Sequence, residues 1–195
     1  MVNSNNLKAW LMMKIRLAHT NDYSAILQLQ QENIPENLSD EQKKQGFIVS
    51  RMDEKQLAAI NNDLGIMVAE DENGEVAGFV CMMKTDARPR PPVVDAMLEA
   101  LSQQRFEGKP LTERRVFLYG PVCVAQNKRG HGIVSKLLAA VKQHTQANYD
   151  VGAAFVDDAN PHSFVVHVKG LHMTPVANFT CHQKGYKLLV FPTKS

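Results

Sequence analysis

Polar and apolar residues alternate over Lys14-Ile15-Arg16-Leu17-Ala18, the period of a strand with one buried face. Thr20, Asn21 and Asp22 then offer N-terminal caps to a helix that carries Tyr23, Ile26, Leu27 and Ile34 on one side and ends at Pro35. Ser39 with Gln42, and Ser50 with Asp53, have capping-box spacing and predict two short helices. Gly65–Glu70 and Glu75–Met83 read as strands joined by the hairpin turn Asp71-Glu72-Asn73-Gly74. Arg88-Pro89-Arg90-Pro91-Pro92 excludes regular structure, but proline suits the first turn of a helix. Val94, Met97, Leu98 and Leu101 follow at helical spacing, and Gly108-Lys109-Pro110 is expected to stop that helix. Arg115–Val124 predicts a long strand, and Ile133, Leu137 and Val141, with Val134 and Leu138 beside them, form the apolar stripe of the next helix. A short buried strand at Val151–Val156, a helix from Pro161, and a hairpin of Met173–Thr180 with Lys187–Phe191, turned at Lys184-Gly185, complete the pattern.

Composition narrows the functional classes. A chain of 195 residues suits one domain with a core that needs no staples. Its net charge of +2 comes from 22 basic and 20 acidic residues, without the basic excess that nucleic-acid binders gather on one face. Cys81, Cys123 and Cys181 are odd in number and far apart, which points to reduced thiols and a cytoplasmic setting. His162 and His167, and His167 and His172, stand five apart, a spacing that does not put two metal ligands on one helical face, so no metal is expected. No apolar run approaches the ~20 residues of a membrane span, so no membrane partner is expected. Residues 1–13 hold only the short patch Ala9–Met13 and are expected to be an extension ahead of a domain at 14–195. The segment Asp86–Arg114 is expected to be a helical insertion that leaves the sheet. The apolar face of its helix could pack on its own domain or on a second copy, which makes a homodimer a candidate assembly.

The chemistry concentrates in Val122-Cys123-Val124-Ala125-Gln126-Asn127-Lys128-Arg129-Gly130-His131-Gly132-Ile133-Val134-Ser135. A strand ends in a basic, glycine-punctuated turn and a helix begins at once. Glycines let the backbone adopt conformations closed to other residues and let a bulky anion approach. The first helical amides have no intrahelical partners and carry partial positive charge, the making of a phosphate site. A P-loop would need Gly-Lys-Ser/Thr where Gly132 is followed by Ile133-Val134-Ser135. The dinucleotide fingerprint would need a third glycine at Ser135, with Asp150 pressed into the role of its acidic residue.

Strand, Arg-Gly-x-Gly-Ile and helix together resemble the acetyl-CoA-binding motif of the GNAT superfamily of N-acetyltransferases. That motif, Gln/Arg-x-x-Gly-x-Gly/Ala, stands here as Asn127-Lys128-Arg129-Gly130-His131-Gly132. Asn127 departs from its first position, and Val134 stands where a small residue is common. A second family element, Asn-x-x-Ser/Ala followed four residues later by Tyr or His, matches Asn160-Pro161-His162-Ser163 and His167. The resemblance covers about Lys14 to Phe191. It implies an α/β fold of the α+β mixed kind, with a central mixed, mostly antiparallel sheet flanked by helices on both faces. It also implies acetyl-CoA, or coenzyme A after reaction, as cosubstrate, and an amine of a small molecule or peptide as acceptor.

Residue by residue, the resemblance places Val122, Cys123 and Val124 along the pantetheine arm. Arg129, Gly130, His131, Gly132, Ile133, Val134 and Ser135 wrap the diphosphate, with Lys128 and Lys136 adding charge. Asn160 and Ser163 lie near the cofactor, and a backbone amide near Val124 serves the oxyanion. His167, where many relatives carry a tyrosine, becomes the proton donor or shuttle. Tyr119, on the strand before the motif, becomes a candidate at the acceptor cleft, and Glu32, Glu36 and Glu70 are candidate bases. A non-catalytic acyl-CoA-binding sensor or scaffold is the competing reading. Binding of ATP or NAD is a third.

Overall fold

The computed structural model describes residues 13–194, so the expected extension lies outside them except for Met13. The strands are β1 (Lys14–Leu17), β2 (Ile66–Glu70), β3 (Val76–Lys84), β4 (Arg105–Phe106), β5 (Lys109–Pro110), β6 (Val116–Val124), β7 (Val151–Asp157), β8 (Thr174–Cys181) and β9 (Lys184–Pro192). The helices are α1 (Tyr23–Glu32), α2 (Asp40–Lys43), α3 (Glu54–Asp63), α4 (Pro92–Ser102), α5 (Ile133–Thr145) and α6 (Pro161–Val165). Helix α6 widens into a π-helical turn over Val166–Gly170, closed by a bond from Leu171 N to Val166 O. Seven strands form one sheet in the order β1-β2-β3-β6-β7-β9-β8. The pairs β1–β2, β2–β3, β7–β9 and β8–β9 are antiparallel, and β6–β7 is parallel. The sheet is therefore mixed and mostly antiparallel, with helices flanking it, as the resemblance implies.

The chain packs as two compact units. The first contains the described residues up to Ser39, Phe47–Met82 and Pro121–Val141; the second contains Asp40–Gly46, Met83–Gly120 and the residues from Lys142 on. In the first, Tyr23, Ile26 and Leu29 of α1 and Leu57 of α3 share a core with Ile66 and Val68 of β2 and Phe79 and Cys81 of β3. Helix α1 stops at Glu32, short of Pro35, and Ile34 is buried beyond its end. The reason is local. Asn33 Nδ2 donates to the Leu29 carbonyl at 2.8 Å, taking the place of the next helical amide. Pro35 holds Ile34 extended. Helix α3 starts from a capping box of Asp53 and Gln56, not Ser50 and Asp53. Asp53 Oδ1 accepts from Gln56 N at 2.8 Å, and Gln56 Oε1 accepts from Asp53 N at 2.9 Å. A carboxylate is the stronger partner for a helix N-terminus.

In the second unit, α4 lays Val94, Met97 and Leu101 into a core with Val116, Leu118, Val151, Ala153, Phe179, Leu188 and Val190, so this helix covers sheet residues. It ends at Ser102, before the glycine expected to stop it. Gly108 instead shares with Glu107 the left-handed turn of the β4–β5 hairpin, with φ of 77° and 48°. The closing hairpin turns at His182-Gln183, both left-handed, and not at Lys184-Gly185. Gly185 pairs within β9 opposite Thr180, where a Cβ would collide with the Asp158 carboxylate. Gly152 likewise faces Phe191 across β7–β9, and a Cβ there would overlap the ring. That space lets Phe191 pack edge-on against Tyr119, with centroids 5.5 Å apart.

Candidate functional site

Strand β6 lies between β3 and β7 in the sheet. Its ladder with β7 runs Val116↔Val151, Phe117↔Gly152, Leu118↔Ala153. Gly120 then takes φ of 113°, and Pro121 has no amide to donate, so a regular ladder cannot pass through. Beyond that break lie Val122, half-buried, and Cys123 and Val124, both buried. The following residue, Ala125, donates its amide to Ala77 O of the β3 strand at 2.9 Å.

The turn after β6 has the backbone a phosphate site needs. Gly130 and Gly132 are exposed and left-handed, with φ of 77° and 72°. A Cβ on Gly130 would meet nothing within 4 Å, so conformation and not crowding demands glycine there. Lys136 N donates to Gly132 O at 3.2 Å. The amides of Ile133, Val134 and Ser135 precede that bond and, by helix geometry, find no carbonyl a turn back. Ile133 is buried, Val134 half-buried and Ser135 exposed; His131 is fixed by its Nδ1 lying 3.1 Å from Lys128 O. These residues fit a diphosphate held by main-chain nitrogens.

The basic pair of the turn serves other ends. Lys128 Nζ lies 2.8 Å from Asp71 Oδ2, and Asp71 also caps the β2–β3 turn by accepting from Asn73 N and Glu75 N at 2.9 and 3.1 Å. Burial opposes the Asp71 charge, but Lys128 and the two amides hold its carboxyl below the usual range. Arg129 directs Nε to Val124 O at 3.2 Å and a terminal nitrogen to Asn33 Oδ1 at 2.7 Å. Burial lowers the Arg129 pKa from its ordinary value.

Residues that sequence reading missed support the turn. Gly78 on β3 is packed so closely that a Cβ would lie 3.0 Å from Cys123 O, 3.2 Å from Val124 Cγ2 and 3.4 Å from Ile133 Cγ2. A glycine inside an otherwise continuous apolar strand is the signal that could have found it. Gly78→Leu is expected to push the end of β6 off its place and weaken coenzyme A binding about tenfold or more, at an overpacking cost of about 1–3 kcal/mol. Calorimetric titration with coenzyme A on a folded variant checks this; unchanged affinity refutes it.

The second unit holds the remaining candidates. Asn160 is buried and caps α6, with Oδ1 accepting from Ser163 N at 3.3 Å. His167 is 5 % exposed and sits in the π-helical turn. Its Nδ1 lies 2.7 Å from Ser163 O and 3.3 Å from Ser163 Oγ. The shorter contact assigns the Nδ1 proton to the carbonyl and leaves Nε2 as the basic nitrogen. Burial lowers the His167 pKa, against the opposing pull of the Ser163 carbonyl. Tyr119 stacks edge-on against this imidazole at 6.1 Å. Its hydroxyl is buried with no hydrogen-bond partner among the described residues, and burial pushes its pKa up. Tyr119 is thus a proton-holding donor lacking an acceptor, next to a neutral imidazole.

Other candidates separate clearly. Glu70 is 2.6 Å from Arg16, and Glu36 is 2.6 Å from Arg51; Glu32 is exposed and accepts from Gln28 at 2.8 Å. Burial pushes the Cys123 thiol up to about 12, and its Sγ lies 3.8 Å from Leu29 O, the environment of a small apolar side chain. Among the described residues no group of three or more His, Cys, Asp or Glu side chains is arranged to hold a metal, and no helix is long and apolar enough to cross a membrane.

Comparison with known proteins bears on this geometry. The model of the acetyltransferase (GNAT) family matches residues 24–172. No curated protein matches the chain. An N-acetyltransferase structure from Staphylococcus aureus is similar over 93 % of this chain and 99 % of that one, at 18 % identity and a TM-score of 0.58. A phosphinothricin acetyltransferase of Sinorhizobium meliloti in complex with acetyl-CoA is similar over 93 % and 88 %, at 16 % identity and 0.59. Arabidopsis thaliana NAA60 in complex with acetyl-CoA is similar over 94 % and 99 %, at 13 % identity and 0.63.

Proposed function

The chain belongs to the GNAT acetyltransferase family, and from that premise we propose that it transfers an acetyl group from acetyl-CoA directly to a primary amine of a small molecule or peptide. The observation that carries this reading is the left-handed pair Gly130 and Gly132 running straight into the start of α5. It takes residues 14–195 as one catalytic domain with the insertion at 86–114. Main-chain nitrogens of Gly130–Ser135 bind the diphosphate, and the backbone of Val122–Val124, beyond the end of the β7 ladder, offers hydrogen bonds to the pantetheine arm. Bound there, acetyl-CoA supplies an activated acetyl thioester.

An alkyl amine with pKa ~10.4 is neutral in about one molecule per few thousand at pH 7, so the enzyme must help remove a proton. One proton of the ammonium leaves through water. His167 Nε2 accepts the second as nitrogen bonds to the acetyl carbon, and then returns it to the departing sulfur. A neutral imidazole with Nδ1 already tied to Ser163 O can take those steps in that order. Tyr119, held protonated by burial, contributes a hydrogen bond and no proton.

Thiol release from acetyl-CoA with a panel of primary amines tests the reading. Release that depends on an amine supports it. Coenzyme A binding without turnover on any amine favours the sensor or scaffold, and stabilisation by ATP or NAD in place of coenzyme A favours nucleotide binding. Direct transfer also predicts that incubation with acetyl-CoA alone leaves Cys123 unmodified in peptide mass spectra. Stoichiometric acetylation of Cys123 would overturn the direct route.

A further inference from the structure

The phosphate turn is joined to the end of α1 through buried polar side chains. The guanidinium of Arg129 bridges Val124 O at 3.2 Å and Asn33 Oδ1 at 2.7 Å. Asn33 is 1 % exposed and engages on every side: Nδ2 donates to Leu29 O at 2.8 Å, and its carbonyl accepts from Ile48 N at 3.0 Å. Gln30, also buried, exchanges two bonds with Met52, donating to its carbonyl at 2.9 Å and accepting from its amide at 2.8 Å. Residues 34–47 therefore form a loop whose base is hydrogen-bonded shut at Asn33 and Ile48. Arg129 connects that base to Gly130.

We propose that Arg129 is a positioning residue that couples the coenzyme cradle to the base of the 34–47 loop, so that coenzyme binding tightens the loop before the acceptor arrives. The inference rests on the acetyl-CoA reading above. Residue chemistry supports it. A guanidinium presents donors in a fixed planar fork, which can hold a carbonyl and an amide oxygen at once, whereas lysine offers a point charge. Asn33 must donate to Leu29 O and accept from Arg129 together, and of its near-isosteres neither aspartate nor leucine does both. A phosphate ligand would aim this fork at the anion; here the fork is directed at Val124 O and Asn33. Because the guanidinium is partly buried and holds both oxygens on one rigid plane, movement at one end is felt at the other.

Amide hydrogen exchange on the full chain, with free coenzyme A as the probe, tests this. Calorimetry first establishes whether coenzyme A binds. Absence of binding sinks the functional reading itself and the inference with it. Given binding, saturation is expected to slow exchange at the Ile48 and Met52 amides by about tenfold, within the range of ordinary coupling between sites. In Arg129→Met that slowing is expected to vanish, and in Arg129→Lys to be mostly lost, while affinity for coenzyme A falls less than about tenfold. Unslowed exchange in the wild type, or full slowing in the Arg129→Lys chain, overturns the proposal. So does a loss of coenzyme affinity beyond about a hundredfold with loop exchange still coupled, which would make Arg129 a direct phosphate ligand. If Arg129→Met fails to fold, the wild-type and Arg129→Lys arms decide alone.

Discussion

Replacing His167 by glutamine is expected to lower kcat by about 10²- to 10⁴-fold, the contribution of a positioned acid–base group, while affinity for coenzyme A stays within about threefold. Glutamine keeps much of the volume of the imidazole and can still bond Ser163 O, so the change removes the titrating nitrogen and little else. Steady-state kinetics with a responsive amine and calorimetry with coenzyme A separate the two quantities. A loss under about threefold in kcat, with affinity unchanged, rejects the proton-shuttle role. The pH profile gives an independent reading. In the proposed role His167 acts as its neutral form, and burial holds its pKa below the ordinary 6.5. Activity due to it is therefore retained at neutral pH and lost as pH falls through a value below 6.5, and this acid limb disappears in His167→Gln. The same sign applies to stability. The unfolded chain binds a proton that the folded chain resists, so the contribution of His167 is present above its unfolded pKa and is lost as pH falls through the folded one.

The double substitution Gly130→Val, Gly132→Val is expected to weaken coenzyme A binding at least a hundredfold. Both positions have φ near 75°, where an L side chain costs about 1–2 kcal/mol and a branched one more. The turn then either stays strained or relaxes to negative φ, and relaxation re-aims the amides that precede the first bond of α5. In the parent chain, coenzyme A at a hundred times Kd adds about 2.7 kcal/mol, a rise in Tm of about 5–10 °C for a chain of this size. The variant should show almost none of that rise at the same concentration. A variant that folds and still gains the full shift would place the diphosphate elsewhere.

Much of this architecture could be read from residue order. Alternation located β1, apolar runs set off by turn signals located β2, β3, β6 and β7, and helical spacing located the buried face of α4. The errors cluster where one residue type serves two purposes. Gly185 and Gly108 both read as punctuation, yet Gly185 makes room for the Asp158 carboxylate inside a strand, and Gly108 turns a hairpin. His182 and Gln183 take the left-handed turn without any glycine to announce it. Asn33 reads as an unremarkable polar residue near a helix end, and only the fold shows it bonded to Arg129, far away along the chain.

Local order was sufficient to mark the glycine turn ahead of α5, because two left-handed glycines and a helix start are properties of consecutive residues. The states of His167, Tyr119, Lys128 and Arg129 were not local properties. Burial neutralises one ring and strips the partner from another, and ion pairing or bridging turns two cations away to Asp71 and Asn33. Desolvation and long-range hydrogen bonding depend on which distant segments close around a side chain, so packing alone decided which of these side chains are buried and which cations are already engaged by other residues.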